Sequence, residues 1–281
     1  MLRDIGGEVM GKYSDLKKNI KQMGCLAVAF SGGVDSTFLL KVANQVLSDW
    51  VIAIIVKLNS FPDKEFENAV RFCQEEKIEY RVIEVDELSI DGFAANPVDR
   101  CYICKSKVFG EIKKLAESMN IHQVVEGTNS DDESDYRPGM RAIRELGVKS
   151  PLKEVGLTKA EIRELSQNMG LRTWNKPSLA CLSSRFVYGE QITKKKLKMV
   201  EDAEEFLHEL GYRQVRVRIH GENMARIEPV PEDISKVVFQ REEINSKFEE
   251  IGFKYVTLDL KGYRTGSMNE VLLDDKNEGN S

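Results

Sequence analysis

The 281-residue sequence lacks the features that mark several classes of protein. Its five cysteines are too few for a disulfide framework in a chain of this length. Its longest apolar runs, Cys25–Phe30 and Val51–Val56, are too short to cross a bilayer, and its first residues contain no apolar stretch of signal-peptide length. With a net charge of −5 it also lacks the basic footprint of a nucleic-acid-binding protein. We therefore expect a cytoplasmic protein with reduced thiols and neither a membrane nor a nucleic acid as partner.

In the first 170 residues, short apolar runs alternate with longer segments that carry apolar residues at helical spacing. The runs predict strands at Cys25–Phe30, Val51–Leu58, Tyr80–Val85 and Gln123–Glu126, and the segments between them predict helices at Val34–Leu47, Asp63–Glu76 and Lys105–Met119. This order is typical of an α/β domain, in which right-handed crossovers build a parallel sheet with helices on both faces. A ligand of such a sheet binds at the carboxyl ends of its strands.

After Gly170 the pattern changes, and a second, smaller α+β domain is predicted. The segment 171–191 has no clear periodicity and is long enough to be a functional loop. The elements predicted after it are a helix at Ile192–Leu210, a hairpin of Gln214–His220 with Ala225–Val230, a helical stretch at Glu232–Ile251 and a strand at Tyr255–Leu260. We therefore predict one domain over residues 1–172, a second over 173–273 and a disordered polar tail at 274–281.

The sequence Ser31-Gly32-Gly33-Val34-Asp35-Ser36 lies between a predicted buried strand and a predicted helix. Two glycines let the backbone approach a phosphate closely, and the start of a helix offers unpaired N–H groups and the positive end of its dipole. Ser31 and Ser36 add hydroxyl donors, whereas Asp35 would repel a phosphate unless a divalent cation such as Mg²⁺ lay between them. The alternative is a plain strand-to-helix turn. A Walker-type loop is excluded because the sequence contains no G-x-x-x-x-G-K-[ST].

SGGVDS at this position resembles the phosphate loop of the PP-loop ATP pyrophosphatases, which bind ATP and release pyrophosphate as they adenylate a substrate. In those families a second segment near the fourth strand closes over the nucleotide. Residues Glu126–Asp132 fill that place here, although on their own they are also typical of a solvated acidic loop. The resemblance implies an adenine nucleotide alpha hydrolase-like fold and an ATP site formed by Ala29, Ser31, Gly32, Gly33, Asp35, Ser36, Gly127 and Arg137.

Cys101 and Cys104 form a C-x-x-C pair at the start of a predicted helix, where the helix dipole, Arg100 and Lys105 favour thiolates. Cys181, in the aperiodic segment, is the natural third thiolate. Three cysteines can hold a 4Fe–4S cluster with one iron open to a non-protein ligand. A zinc ion, with His or water as its fourth ligand, and a redox dithiol are the alternatives.

Other polar or reactive residues receive a structural interpretation. Cys25 lies in a predicted strand and Cys73 on an apolar helix face, so both are expected in the core. The run Lys194–Lys196 is interpreted as a solvated helix face rather than a contact to RNA, because the chain as a whole is acidic.

Seven short strings together resemble the LarE family of ATP-dependent sulfur transferases, which help to build the nickel-pincer cofactor of lactate racemase. They are Trp174–Lys176, Ser183–Phe186, Tyr188–Gly189, Val215–Arg218, Ala225–Glu228, Tyr255–Leu260 and Gly262–Arg264. The resemblance runs over nearly the whole chain. It implies that a carboxylate of pyridinium-3,5-biscarboxylic acid mononucleotide is adenylated and that sulfur then replaces AMP to give a thiocarboxylate, a sequence that the family carries out twice.

The resemblance also implies residue roles. Arg216 and Arg218 project from one face of a predicted strand and suit bidentate capture of the substrate's own phosphate, although the same pattern is typical of a solvent-facing strand. The implied sets are Asp35, Lys105 and Cys181 in catalysis, Arg185, Arg216, Arg218 and Glu204 at the substrate phosphate, and Cys101, Cys104 and Cys181 on a 4Fe–4S cluster. We expect ATP, Mg²⁺ and the cluster as cofactors, a sulfide or other sulfur donor as partner, and a homo-oligomer.

One departure separates two branches of the family. In the branch that sacrifices a protein cysteine as sulfur donor, that cysteine stands five residues before the arginine of S-S-R, where this chain has Ala180 followed by Cys181. That branch also lacks the C-x-x-C, so the chain resembles the branch that binds a cluster. Sacrifice of Cys181, a tRNA thiolase and a nucleotide-binding regulatory module without turnover are the alternatives.

Overall fold

The computed structural model describes residues 5–133, 138–177 and 180–264. They form two compact units: Met1–Ile90 with Asp99–Leu179 make up the first, and Asp91–Val98 with Ala180–Ser281 make up the second. Residues 91–98 therefore belong to the second unit, although the residues on both sides of them belong to the first. Nothing in the sequence pattern predicts this exchange. No helix within the described residues is long and apolar enough to span a membrane.

The first unit is an α/β domain with four strands. Its strands are β1 (Leu26–Ala29), β2 (Val51–Lys57), β3 (Glu79–Glu84) and β4 (Gln123–Val125), and its helices are α1 (Gly7–Met23), α2 (Val34–Leu47), α3 (Asp63–Glu75), α4 (Arg100–Ser118), α5 (Pro138–Glu145), α6 (Pro151–Glu154) and α7 (Lys159–Asn168). All strand pairs are parallel, in the order β3-β2-β1-β4. The parallel α/β sheet predicted from the sequence is confirmed.

Both faces of this sheet are covered, as its near-continuous apolar strands require. Leu26 and Val28 of β1 pack with α1, α2 and α3 on one face, in a core that includes Leu16 and Phe38. Ala27, between them, packs on the other face with α4 and α5. The alternation along β1 therefore divides its side chains between two cores and fixes the register of the strand.

The strand order places a topological switch point between β1 and β4. From β1 the chain moves outward through β2 to β3 and then returns to pair β4 with the opposite edge of β1. The loops that follow β1 and β4 diverge at such a point, and the crevice between them is where open α/β sheets bind ligands. In this protein those loops are the SGGVDS sequence and the segment that starts at Glu126.

The second unit contains a three-stranded mixed sheet. Its elements are α8 (Lys194–Glu209), β5 (Val215–His220), β6 (Met224–Pro229), α9 (Ile234–Phe239), α10 (Arg241–Ile251) and β7 (Tyr255–Leu258), with a short 3₁₀ turn at Leu182–Arg185 before them. Strand β6 pairs antiparallel with β5, as the predicted hairpin requires, and parallel with β7. Val215, Val217 and Ile219 are fully buried, as are Leu207 and Ala203 of α8.

Several details differ from the sequence predictions. Helix α4 begins at Arg100, so the C-x-x-C pair lies within its first turn. The helical stretch predicted over Glu232–Ile251 forms two helices, α9 and α10, because the helix is interrupted at Gln240. Lys196 does not belong to a solvated face: it is 6% exposed, and its ammonium pairs with Glu222 at 2.9 Å. The tail at 274–281 lies outside the described residues.

The fold predicts a matched pair of glycine substitutions. A Cβ on Gly127 would lie 2.8 Å from the backbone nitrogen of Ser36, at the start of α2, whereas a Cβ on Gly110, inside α4, would meet no atom within 4 Å. We expect Gly127→Ala to lower the free energy of unfolding by about 1–3 kcal/mol through overpacking. Gly110→Ala should raise it by about 0.5–1 kcal/mol through helix propensity. Urea denaturation of both variants measures the difference, and equal stabilities would contradict the packing at the switch point.

Candidate functional site

The SGGVDS sequence forms a compact loop directly after β1. Gly32 has a φ of +66°, a left-handed conformation that favours glycine, and α2 begins at Val34 with Gly33 as its N-cap. The hydroxyls of Ser31 and Ser36 lie 3.0 Å apart, and the Ser31 N–H donates to Ser36 Oγ at 3.4 Å. The loop therefore presents backbone and hydroxyl donors at a helix N-terminus, the arrangement expected of an anion site.

Lys176 holds this loop in place from elsewhere in the first unit. Its ammonium donates to the carbonyl oxygen of Gly32 at 3.0 Å and pairs with Glu65 of α3. Arg163 of α7 in turn donates to the carbonyl oxygens of Trp174 and Lys176. The Trp174–Lys176 string, one of those that carry the family resemblance, thus supports the phosphate loop.

The segment after β4 lies against the start of α2. The close approach of Gly127 to Ser36 leaves no room for a side chain between them. Glu126 is buried, and its carboxylate accepts hydrogen bonds from the N–H and Oγ1 of Thr128 at 3.0 and 2.7 Å and from Ser150. The Asn129 N–H donates to Asp132 Oδ2 at 3.0 Å. These bonds fix the backbone beside the phosphate loop.

Asp35 has two unlike carboxylate oxygens. Oδ2 lies 2.6 Å from the ammonium of Lys159, the first residue of α7, while Oδ1 is buried and makes no hydrogen bond of good geometry with the described residues, although the Asn129 side chain lies near enough to lower the pKa of the carboxyl. Burial raises the pKa of Asp35 above that of an ordinary carboxyl, against the opposing charge of Lys159. A buried carboxylate oxygen without a donor is a costly feature that a bound cation would relieve.

The C-x-x-C pair lies on the first turn of α4. Cys101 is exposed, Cys104 is half-buried, and Arg100 Nη2 lies 3.9 Å from Cys101 Sγ. Lys105 follows directly after Cys104, and its side chain lies over Gly139 of α5, where an added Cβ would meet Lys105 Cδ at 2.6 Å. Cys101, Cys104 and Lys105 all belong to the first unit.

Cys181 stands in the second unit, on a turn that Arg185 holds from inside. Arg185 is 1% exposed, and its Nη1 donates to the carbonyl oxygens of Ala180 and Cys181 and to Ser184 Oγ at 2.8–3.3 Å. Cys181 itself is an exposed residue. Arg185 therefore fixes the backbone of the turn while Cys181 stays exposed.

Glu204 of α8 completes this arrangement. Its two oxygens accept from Arg185 Nε and Nη2, each at 2.8 Å, and Oε1 also accepts from the Val217 N–H of β5 at 2.9 Å. Burial raises the pKa of Glu204, but the charge of the Arg185 guanidinium outweighs this effect and holds the pKa below the ordinary carboxyl value. Since these two side chains already satisfy each other, their predicted contact with the substrate phosphate stays a prediction, and the geometry favours a bracing role.

Arg216 and Arg218 are 4% and 5% exposed, so the solvent-facing alternative is wrong. Arg218 donates to Glu228 Oε2 from Nε and Nη2 at 3.0 and 2.8 Å and to the carbonyl oxygen of Ser184 at 2.9 Å. Arg216 donates to the carbonyl oxygen of Val215, and its guanidinium lies 5.4 Å from the ring centre of Tyr263.

This cluster brings several buried charges together. Within the described part of the chain, the three guanidiniums of Arg185, Arg216 and Arg218 are set against two buried carboxylates, Glu204 and Glu228. Burial, and then the neighbouring positive charge of Arg185, lower the pKa of Arg216. A bound anion would stabilise the positive charge of Arg216, so the arrangement is suited to a phosphate.

The structure brings together some of the predicted site residues but not all. Ser31, Ser36, Asp35 and Gly127 meet at the switch point, and Arg185, Arg216 and Glu204 form one cluster in the second unit. No group of three or more His, Cys, Asp or Glu residues in the described ranges is placed to hold a metal ion. Arg137 lies outside the described residues. Cys73 is fully buried, as predicted, and burial raises its pKa to about 12, whereas Cys25 is half-buried.

Two residues that contribute to these sites were not predicted. Lys159 follows Thr158 in a T-x-x-E capping box, so its place at a helix start is legible in the sequence, but its partner Asp35 is 124 residues away. Glu228 is completely buried beneath Arg218. The alternation along a strand does not tell whether a polar residue on one face is buried or exposed.

Comparison with known proteins agrees with this geometry. A family model described as NAD synthase matches residues 12–96, which include the SGGVDS loop. A protein of Synechocystis named only as uncharacterized is 43% identical over 93% of this chain and 98% of its own length. The pyridinium-3,5-bisthiocarboxylic acid mononucleotide synthase of Lactiplantibacillus plantarum is 37% identical over 93% of this chain and 95% of its own length. A glutamine-hydrolyzing GMP synthase component of Thermoplasma acidophilum is 26% identical over 68% of this chain and 66% of its own length.

The family that the residue strings indicated is thus supported along almost the full chain. The match to the Lactiplantibacillus enzyme extends over 93% of the chain and therefore reaches both units. This chain belongs to the LarE family, that of the pyridinium-3,5-bisthiocarboxylic acid mononucleotide synthases.

Proposed function

We propose that this protein is an ATP-dependent sulfur transferase that converts a carboxylate of pyridinium-3,5-biscarboxylic acid mononucleotide into a thiocarboxylate, for the synthesis of a nickel-pincer cofactor. The observation that carries the proposal is the phosphate loop at the switch point, with the unpartnered oxygen of Asp35 beside it. Membership of the LarE family supplies the substrate class.

The first step is adenylation. A carboxylate oxygen is a poor leaving group, and attack of that oxygen on the α-phosphorus of ATP, with loss of pyrophosphate, turns it into a good one. The loop donors of Ser31, Gly33 and Ser36 would bind the departing pyrophosphate at the N-terminus of α2. The fit of Mg²⁺ rests on Asp35, whose buried oxygen lacks a donor; the ion would neutralise the charge that develops on the phosphates.

In the second step a sulfur nucleophile attacks the acyl carbon and AMP leaves. The donor set of Cys101, Cys104 and Cys181 is made of soft thiolate ligands, which suits a 4Fe–4S cluster, and such a cluster would supply the sulfur atom. The contribution of the chain itself is to fix the Cys181 turn through Arg185 and to place Lys105 one residue after the C-x-x-C pair.

The arginine cluster suits the phosphate of the mononucleotide. Arg216 is the candidate for this contact, because it is a buried arginine on β5 whose charge is disfavoured by burial and by the neighbouring charge of Arg185. Guanidiniums in a dry environment bind phosphate strongly and do not lose their charge at neutral pH. The substrate would be held by its phosphate while its carboxylates react.

We expect Asp35→Asn to lower pyrophosphate release by about two orders of magnitude, the scale of losing one preorganised electrostatic contact. The variant should not be less stable than the wild type, because the folded state raises the pKa of Asp35 and a neutral amide removes that cost above the pKa of the unfolded chain. The assay is pyrophosphate release with saturating ATP and Mg²⁺, beside thermal denaturation at pH 7. Asp49→Asn, exposed beyond the other end of α2, is the control. Retained activity would remove Asp35 from the mechanism.

Arg216→Ala should weaken binding of the pyridinium mononucleotide by about 1.5–3 kcal/mol, the value of a hydrogen bond to a charged group, and leave ATP binding unchanged. Calorimetric titration with each ligand measures both affinities. Arg213→Ala removes an exposed arginine three residues away and is the matched control. Arg218→Ala is a poorer test because it leaves Glu228 buried without its main partner, which is strongly destabilising. Loss of ATP affinity alone would refute the assignment.

Replacing any one of Cys101, Cys104 and Cys181 with Ala should abolish both bound iron and sulfur transfer, because a cluster with one open iron needs all three thiolates. Pyrophosphate release should continue, and Cys25→Ala should change neither quantity. Iron and sulfide assays after anaerobic purification, with mass spectrometry after turnover, provide the measurement. A colourless protein would favour zinc. A loss of about 34 Da at Cys181, the mass of H₂S, would instead identify that cysteine as a sacrificial donor.

A further inference from the structure

The peptide bond between Gly32 and Gly33 lies inside the phosphate loop and has glycine on both sides. Gly32 has a φ of +66°, and Gly33 has a φ of −75° with a ψ of 170°. Glycine populates positive and negative φ about equally, so this peptide could turn over at little steric cost. Local sterics therefore do not determine whether its carbonyl oxygen or its N–H faces a bound anion.

Contacts within the first unit fix the carbonyl side of this peptide. The ammonium of Lys176 donates to the carbonyl oxygen of Gly32 at 3.0 Å and to the carboxylate of Glu65 on α3. Gly32 is buried, and a Cβ added to it would lie 3.1 Å from the Cβ of Ala69. Ala69 follows Glu65 by four residues and shares its face of α3. Gly32 is thus packed on α3 with its carbonyl oxygen bound to Lys176.

The N–H of the same peptide belongs to Gly33 and faces the other way. No cis peptide bond occurs in the described residues, and in a trans peptide the C=O and N–H point in opposite directions. The contact with the carbonyl oxygen of Gly32 therefore turns the Gly33 N–H away from Lys176. Gly33 is half-buried and is the N-cap of α2, where the positive end of the helix dipole favours an anion.

The contacts of Lys176 differ from those of a lysine that binds phosphate. Its side chain is 16% exposed and that of Glu65 is 14% exposed, so the pair is largely shielded from water. Glu65 balances the charge of the ammonium, and the carbonyl oxygen of Gly32 takes a second of its N–H groups. These contacts suit a residue that shapes the loop.

We propose that Lys176 is a positioning residue, which holds the Gly32–Gly33 peptide in the orientation that directs the Gly33 N–H at pyrophosphate. The inference rests on the proposed use of ATP. Without Lys176 the peptide would sample both orientations. In the reversed one the carbonyl oxygen of Gly32 would repel the anion that the N–H of Gly33 attracts.

Lys176→Met keeps the bulk of the side chain and removes its hydrogen-bond donors. With Mg²⁺ saturating, its affinity for inorganic pyrophosphate should fall about ten- to hundredfold, the effect of losing a hydrogen bond to a charged group. Lys176→Arg should keep most of the affinity, because the guanidinium can still donate to the carbonyl oxygen. Calorimetric titration of the full-length protein with pyrophosphate and with ATP measures these affinities.

Two further variants separate this role from a contribution to stability. Lys41→Met removes a similarly shielded ion pair, between α2 and Glu76 at the C-cap of α3, and should lower stability without changing the pyrophosphate affinity. In Glu65→Gln the side-chain oxygen can still accept from Lys176, which keeps its contact with Gly32, so the affinity should equal or exceed that of the wild type. If Lys176→Met binds pyrophosphate as Lys41→Met does, or if Glu65→Gln loses affinity as Lys176→Met does, the proposal is wrong.

Nuclear magnetic resonance reports the orientation of the peptide directly. In protein labelled with ¹⁵N-glycine, the amide signal of Gly33 is identified by its absence from Gly33→Ala. Without ligand, this signal should be shifted or split in Lys176→Met and unchanged in Lys41→Met. A fall in pyrophosphate affinity with an unchanged Gly33 signal would mean that Lys176 contacts the anion itself, and would also overturn the proposal. If the wild type binds neither pyrophosphate nor ATP, the proposed function fails, and the Gly33 signal still decides whether Lys176 orients the peptide.

Discussion

The architecture of the first unit depends on the close approach of two backbones at the switch point of its sheet. The loop after β4 lies so near the start of α2 that position 127 has room for a hydrogen atom and not for a methyl group. This approach follows from strand order, because β4 pairs with the free edge of β1 and delivers its carboxyl end beside the phosphate loop. The same contact buries Asp35 and limits the hydrogen-bond donors that can reach its carboxylate. Close packing therefore leaves a buried carboxylate oxygen that a cation could bind.

A different constraint organises the second unit, namely the cost of burying charge. Glu204 is acceptable in the interior because it binds both Arg185 and the backbone of β5, and through that pair the turn bearing Cys181 is fixed to the sheet. Removing either partner would leave a buried charge and release the turn. The position of the exposed Cys181 is thus secured by two buried side chains whose charges satisfy each other.

Most of the first unit was predictable because its signals are local. The limits of α2 match the prediction at both ends, and those of β2 and α3 differ by one residue, since apolar periodicity and flanking glycine or proline define them. Two features are long-range and produce no periodic pattern in the sequence. They are the pairing of Lys159 with Asp35 and the membership of residues 91–98 in the second unit. Alternation along β5 correctly grouped Arg216 with Arg218 but could not reveal that their face is buried, because burial depends on what packs above the strand.

Under the proposed function, the two anion sites differ in a way that matches what each must do. Pyrophosphate has to leave after every adenylation, and its proposed site would use backbone and hydroxyl donors at a helix N-terminus together with an exchangeable cation. The phosphate of the mononucleotide has to stay bound while two carboxylates react in turn. Its proposed contact, Arg216, lies beside Arg185 and Arg218, which buried carboxylates hold in place. A buried cluster of fixed positive charges suits retention, whereas uncharged donors with an exchangeable cation suit release, so the composition of each site would follow from the lifetime of the anion it binds.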